Sequence, residues 1–211
     1  MVLLAPRITE VAPAELAREM RGRFGQELRR LGVYTQLCLL GAENCLAAAG
    51  GSGRLGVLVA TAHGALSAAR AALDDGLRQG QPVMPFTFIA TQTSLAGALL
   101  AKGSHDVRRA ACVYPAAQDW PWVLRMARGW LSGCERVLLG WVEEAAEGAP
   151  HRSHWCLLAR AGGPIRCEPC APTGAAAAAA DWLSRVAEWQ EAAAAPLELR
   201  GGNAGWRFTR A

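Results

Sequence analysis

Two pairs of potential metal ligands stand close together in the second half of the chain. His151 and His154 form a His-x-x-His pair, and Cys167 and Cys170 form a Cys-x-x-Cys pair. Imidazole nitrogen and thiolate sulfur are the ligands that structural zinc prefers. If the two segments are strands of one hairpin, Cys170 falls beside His154. Because Pro169 lies inside the second pair and neither pair has the glycine of a zinc knuckle, we predict no bound metal and keep zinc as the alternative.

Cys112 and His63 are the other residues that could act in catalysis. Cys112 is a candidate nucleophile for acyl transfer, but it lies inside an apolar segment, where no helix N-terminus would activate its thiol. His63 follows a predicted strand and could act as a general base, but no nucleophile elbow and no orienting Asp lies near it. We predict that Cys112 is a buried core residue and that backbone groups of its turn hold His63.

The composition indicates a folded protein without a membrane span. The 211 residues are 52% hydrophobic and 19% charged, which supports a sizeable core and excludes a disordered chain. The apolar stretches are shorter than the roughly 20 residues of a membrane span, and no secretory signal is recognisable, so we expect a cytoplasmic protein with reduced cysteines.

The same composition argues against cofactors and nucleic acid as ligands. The Gly-rich run at 50–53 lacks the Lys-Ser/Thr of a P-loop, and no basic run resembles a nucleic-acid arm. We therefore expect no cofactor and no nucleic-acid partner. The net charge of +4, carried almost entirely by Arg, mildly favours an acidic partner such as a carrier protein.

Apolar segments of helical and extended character alternate along the chain, which predicts a single α/β domain over residues 1–211. The predicted strands are 54–60, 108–114, 135–143, and a hairpin of 153–160 with 165–168. The predicted helices are 8–49, 65–79, 91–102, 119–131 and 175–190. Residues 83–89 are predicted to be extended or a loop, and the tail after Pro196 to be irregular.

Three stretches of the chain share their order of elements with a known family. They are a helix, strand and turn at 29–64, the segment PFTFIATQTSLAGALLA at 85–101, and a strand, helix and strand at 108–144. This order resembles the N-terminal half of β-ketoacyl synthases, which have the thiolase-like fold. It is most similar to the β-ketoacyl synthase-like N-terminal domain proteins. These accompany type II ketosynthases, including those that make aryl polyene pigments, as chain-length-factor-like partners.

The resemblance covers about residues 25–160 and implies a thiolase-like half-fold. We expect a central mixed sheet flanked by helices, with a hairpin strand, an Ala/Trp-containing helix and a tail over 165–211. It also implies that condensation chemistry is lost. A ketosynthase carries its nucleophilic Cys at a strand-to-helix elbow, which falls here near Ala117 and Gln118. Chain length factors often carry Gln there. The family's two catalytic histidines come from a C-terminal half, and the last His here is His154.

The resemblance further implies a heterodimer with a β-ketoacyl synthase. In the family, the strand before the elbow pairs across the dimer. The corresponding residues here are Arg108, Arg109, Ala110, Ala111, Cys112 and Val113. The family also uses residues near this dimer seam to close the bottom of the partner's acyl tunnel. By resemblance, our candidates for this role are Leu66, Leu73, Phe86, Phe88 and Gln92.

Two other functions stay open. The chain could be a small independent enzyme, either zinc-dependent through the His and Cys pairs or an acyltransferase through Cys112. It could also be a scaffold that binds an acidic carrier protein but no ketosynthase. Metal analysis, native thiol labelling and salt-sensitive carrier binding distinguish these from the partner protein.

Overall fold

The computed structural model describes residues 1–25, 31–103, 105–146, 149–179, 181–192 and 195–211. The strands are β1 (Val2–Leu3), β2 (Arg7–Val11), β3 (Leu55–Ala60), β4 (Val107–Val113), β5 (Arg136–Glu143), β6 (His151–Ala159), β7 (Ile165–Cys170), β8 (Ala175–Ala176), β9 (Leu197–Gly201) and β10 (Ala204–Arg210). The helices are α1 (Pro13–Phe24), α2 (Val33–Ala49), α3 (Leu66–Leu73), α4 (Pro85–Ala90), α5 (Leu95–Lys102), α6 (Trp120–Trp130) and α7 (Asp181–Ala192). A π-helical turn, Asp74–Arg78, extends α3, and a 3-10 turn, Ala117–Asp119, precedes α6.

All ten described strands belong to one mixed sheet. Its order is β4-β3-β5-β6-β1-β7-β10-β9-β8, with β2 pairing with β6 beyond the end of β1. Strands β4, β3 and β5 are parallel, whereas β5, β6, β1, β7, β10 and β9 pair antiparallel in succession. Strand β3 is buried along its whole length, because helices cover both of its faces. The predicted α/β class with a central mixed sheet flanked by helices is confirmed.

Two apolar cores lie on opposite faces of the sheet. Helix α2 is buried around most of its circumference and packs on one face with α1 and α5. Helices α6 and α7 pack on the other face, where β7, β10 and β9 join the same core. Within it, the ring centroids of Trp120 and Trp182 are 5.3 Å apart, and Trp182 stacks on Phe208 at 6.1 Å. Burial of each indole contributes about 4–6 kcal/mol of transfer free energy, so these rings anchor the C-terminal part to α6.

The predicted hairpin of 153–160 with 165–168 is wrong, because β1 lies between the two strands. Val2 faces Ala159 on one side and Arg166 on the other. Both pairings are antiparallel, so β6 and β7 run in the same direction. The turn at Gly162 and Gly163 therefore joins strands that are not neighbours.

Other element boundaries also differ from the predictions. The start of the predicted helix 8–49 is strand β2, and residues 26–30 lie outside the described residues. Residues 85–90 form α4 instead of an extended segment, with Pro85 at the first turn. Helix α5 begins at Leu95, and α7 begins at Asp181, with residue 180 outside the described residues. The predicted irregular tail contains β9 and β10. Strands β3, β4 and β5 and helix α6 match their predictions within a few residues.

Candidate functional site

Strand β4 forms one edge of the sheet and pairs with β3 alone among the described strands. The carbonyl of Val113 accepts a hydrogen bond from the Thr61 amide at 3.1 Å, so the backbone of Val113 points toward β3. Since strand residues alternate, the amides and carbonyls of Ala110 and Cys112 point outward, away from β3. Ala110 is exposed and Cys112 half-buried. The strand therefore offers free donors and acceptors for an added strand.

A β-bulge closes the N-terminal end of this edge. Leu55 faces Val107 and Gly56 faces Arg109, so Arg108 is an extra residue in β4. Its Nε atom lies 2.7 Å from the Asp106 carboxylate. Because bulges and charges disfavour pairing, the usable edge begins after Arg108.

Large apolar side chains are exposed on α3, its π-helical turn, α4 and the two residues before Pro85. The helical patch, as we call this surface, consists of Leu73, Leu77, Val83, Met84, Phe86, Phe88 and Ile89. Leu77 is 80% exposed and Phe88 60% exposed. A groove of about 590 Å³ lies along α3, beside Leu73 and Leu77. Contiguous exposed apolar surface of this kind indicates a binding surface.

The predicted tunnel residues lie in or beside this patch. Leu73, Phe86 and Phe88 belong to it, Leu66 is half-buried at the start of α3, and Gln92 is exposed after α4. The patch adjoins the end of β4, because the hydroxyls of Thr93 and Tyr114 lie 3.0 Å apart. The structure thus brings the predicted seam strand and the predicted tunnel residues to neighbouring surfaces.

The connection from β4 to α6 occupies the place of the predicted elbow. Ala117 and Gln118 lie in the 3-10 turn, and the Ala117 carbonyl accepts a hydrogen bond from the Ala179 amide at 2.6 Å. Residues 114–119 read Tyr-Pro-Ala-Ala-Gln-Asp, with no Cys, Ser or His. The Gln118 side chain is exposed.

The described neighbours of Cys112 include Tyr34 and Cys38. Its sulfur lies 3.4 Å from the Tyr34 hydroxyl on α2. Burial raises the pKa of the Tyr34 phenol and of the neighbouring Cys38 thiol, so both groups are neutral at ordinary pH. Neither group can accept the Cys112 proton, and the contacts described for Cys112 include no histidine.

The two pairs of potential metal ligands do not meet. Arg166, next to Cys167, lies level with Ala159 in the sheet. Ala159 is five residues from His154 along β6, so Arg166 and His154 are separated along the strand direction by about 16 Å. Because β7 runs parallel to β6, Cys170 lies farther still. No group of three potential ligands forms among the described residues. The two pairs therefore do not come together in one site in this structure.

Glu143 and Glu144, at the end of β5, have partners that sequence reasoning missed. Glu143 binds the turn after β3, through the Ala62 amide and through His63 Nδ1 at 3.5 Å. Glu144 binds the first turns of α2 and α3. The carboxyl ends of adjacent parallel strands meet at one sheet edge, and this rule could have placed the Glu pair beside His63. The pair points in different directions, so it does not form an acid–base dyad.

None of the described helices is long and apolar enough to cross a membrane.

No protein-family model and no curated protein matches the chain. Solved structures do match it over its full length. The chain is similar to a chain of the ketosynthase ApeO in complex with its chain length factor ApeC from Xenorhabdus doucetiae. That match has a TM-score of 0.63 and 13% identity, and covers 100% of both chains.

Two further complexes agree with this match. One is the ishigamide ketosynthase/chain length factor, with a TM-score of 0.66, 11% identity, and coverage of 100% of this chain and 99% of that one. The other is AntDE:AntF, a type II polyketide synthase acyl-carrier protein in complex with its ketosynthase, with a TM-score of 0.61, 10% identity and the same coverage. The chain has the thiolase-like fold. Each matched chain is covered almost completely, so this chain and the three matched chains share the fold over nearly their whole lengths.

Proposed function

We propose that this protein is a non-catalytic, chain-length-factor-like subunit that pairs with an active β-ketoacyl synthase. The observation that carries the proposal is the open edge strand β4 beside the exposed helical patch. Both lie in a chain that shares its fold with chains of solved ketosynthase/chain length factor complexes. A monomer leaves both surfaces in water, whereas a partner of the same fold covers them together.

The edge strand supports a main-chain contact with this partner. The outward amides and carbonyls of Ala110 and Cys112 can each bond to an antiparallel strand. The side chains of Ala110 and Ala111 are small, so they let another backbone approach closely. The seam would therefore be continuous hydrogen-bonded sheet.

The helical patch supports a role in chain length. Filling one end of an apolar tunnel excludes further methylene units of a growing chain. Leu73, Phe86 and Phe88 are the bulky exposed side chains for this task, with Leu66 and Gln92 beside them. We place the complex in polyene or fatty-acid-type biosynthesis in the cytoplasm.

The absence of a nucleophile supports a non-catalytic subunit. Residues 114–119 lack the Cys that a ketosynthase needs at this position. Gln118 lies where the resemblance places the Gln of chain length factors. Condensation would then take place only on the partner's residues.

Native mass spectrometry tests the proposal. The protein is expressed alone and together with the β-ketoacyl synthase encoded beside it. A one-to-one complex, with little soluble protein from expression alone, supports the proposal. A stable monomer that ignores the ketosynthase contradicts it. The same spectra report any bound zinc as a mass excess.

An acyl carrier protein is a further candidate partner. The solved AntDE:AntF complex includes such a carrier protein, and the arginine-rich surface of this chain suits an acidic protein. Carrier binding that needs the ketosynthase fits the complex proposed here. Carrier binding by the isolated chain, lost at moderate salt, favours the scaffold function instead.

A further inference from the structure

The usable part of the β4 edge is short and has two unlike ends. The bulge at Arg108 closes one end, and Pro115, which has no amide hydrogen, follows the other end. Between them, the residues of the α6 face are Arg109, Ala111 and Val113. An added strand therefore meets a cation at one end of this face and apolar side chains along the rest.

Arg109 has no carboxylate partner among the described residues, in contrast to its basic neighbours. Arg108 pairs with Asp106, and Arg54 pairs with Glu135 at 3.3 Å. The Arg109 side chain instead passes Gly133, just beyond the end of α6. Its guanidinium lies beside Gly133, on the α6 face of β4, and no described carboxylate neutralises its charge.

A second copy of this chain fits the edge poorly in the register that uses the outward groups of both Ala110 and Cys112. In an antiparallel pair of two β4 strands, Ala110 of one copy can bond to Cys112 of the other. This register places the two copies of Ala111 opposite each other. Arg109 of each copy then faces Val113 of the other. Two guanidinium groups would be covered by apolar surface without a counter-charge, which is unfavourable.

We propose that the ketosynthase strand that pairs with β4 carries a carboxylate opposite Arg109 and apolar residues opposite Ala111 and Val113. This inference rests on the proposed function. It adds a charge pattern on β4 that favours pairing with the ketosynthase over pairing with a second copy of this chain. A carboxylate at this position forms a charge-assisted hydrogen bond that the seam partly shields from water.

Charge reversal at two adjacent arginines tests the proposal. Dissociation constants of the complex with the co-expressed ketosynthase are measured for the wild type, Arg109→Glu and Arg108→Glu. Arg109→Glu is expected to weaken binding at least about tenfold, because it opposes two carboxylates at the seam. Arg108→Glu makes the same charge change on the bulge, outside the pairing segment, and is expected to change binding less than about threefold. Both residues are exposed, and thermal unfolding verifies that both variants fold.

Compensation in the partner completes the test. Carboxylates of the ketosynthase's seam strand are replaced by Arg one at a time, and one of these variants is expected to restore binding to Arg109→Glu. Equal effects of the two reversals, or no effect of Arg109→Glu on a complex that forms, would overturn the inference and leave the proposed function intact. A wild-type chain that pairs with itself through β4 also overturns it. Failure of the wild type to bind any ketosynthase contradicts the proposed function itself.

Discussion

Glu144 accepts a hydrogen bond from the backbone amide of Ser67, with Oε2 2.7 Å from the nitrogen. Its other oxygen lies 3.0 Å from the Tyr34 amide. One carboxylate at the end of β5 therefore binds the first turns of both α3 and α2, where the helix dipoles favour negative charge. It links α3, which carries Leu73 of the helical patch, to α2, which fills one core.

Glu144→Gln should lower the free energy of unfolding by about 1–2 kcal/mol, because the amide replaces one acceptor by a donor and removes the charge. Urea denaturation measures the change. Glu10→Gln is the control, since Glu10 forms an exposed ion pair with Arg152 and should change stability by less than about 0.5 kcal/mol. Equal effects of the two substitutions would show that Glu144 does not link the helices.

Gly41→Ala should destabilise the fold by about 1–3 kcal/mol, because a Cβ there would overlap the Trp155 indole and lie 2.5 Å from Ser153 Oγ. Helix α2 needs a glycine at this point to approach β6. The matched control is Gly129→Ala in α6, where a Cβ meets nothing within 4 Å. It should raise stability by about 0.5–1 kcal/mol through helix propensity. Chemical denaturation of both variants checks the opposite signs.

Native thiol labelling should modify Cys112 and Cys170 first, since these two are half-buried and the other five cysteines are buried. Burial raises the pKa of Cys45 to about 12 and that of Cys167 to about 12, which adds to their protection. In the ketosynthase complex, Cys112 should become protected while Cys170 stays reactive. Unchanged labelling of Cys112 in that complex would place the partner elsewhere.

Leu73→Ala and Phe88→Ala should lengthen the products of the complex, because each removes apolar bulk from the proposed tunnel end. Mass spectrometry of the released acyl chains measures the distribution. Ile8→Ala is the control, since Ile8 is an exposed apolar residue on β2, outside the helical patch. If every patch variant makes products of wild-type length, the patch does not set chain length.

Stability should fall as the pH drops below about 6.5. Burial lowers the pKa of His154 and of His151 below the ordinary value of 6.5, so the unfolded chain binds protons that the folded chain does not. The histidine contribution is therefore complete above this pH and is lost below it. Urea denaturation at about pH 7.5 and about pH 5.5 measures the slope, which His154→Gln should reduce. An identical slope in the variant would mean that His154 binds protons equally in the folded and unfolded states.

Local patterns predicted the parallel strands and α6, because each carries its own signal. Residues 55–60 are continuously apolar, and Pro121 lies at the first turn of α6. The seam strand and the five tunnel candidates come from resemblance to a family, and the structure brings them to neighbouring surfaces. The β9–β10 hairpin also had a local signal that was overlooked, since Gly202 and Asn203 form a two-residue turn between alternating apolar residues.

The errors concern contacts between residues that are far apart in the chain. Nothing near Val2 indicates that it pairs with Ala159 and Arg166. Without β1 in place, the Gly162–Gly163 turn indicates a hairpin, and the expected proximity of the His and Cys pairs depended on that register. Likewise, Glu143 and His63 are adjacent only because β3 and β5 are neighbours in the sheet.

The position of β1 also bears on how the chain is made. Its two residues pair with strands that are synthesised roughly 150 residues later, so the middle of the sheet has no completed hydrogen-bond ladder until β7 has left the ribosome. The sheet therefore depends on contacts between residues that are far apart in the chain, which gives a high contact order and slows folding. Until β7 emerges, the edge of β1 that it will occupy has no partner strand and is open to pairing with other chains.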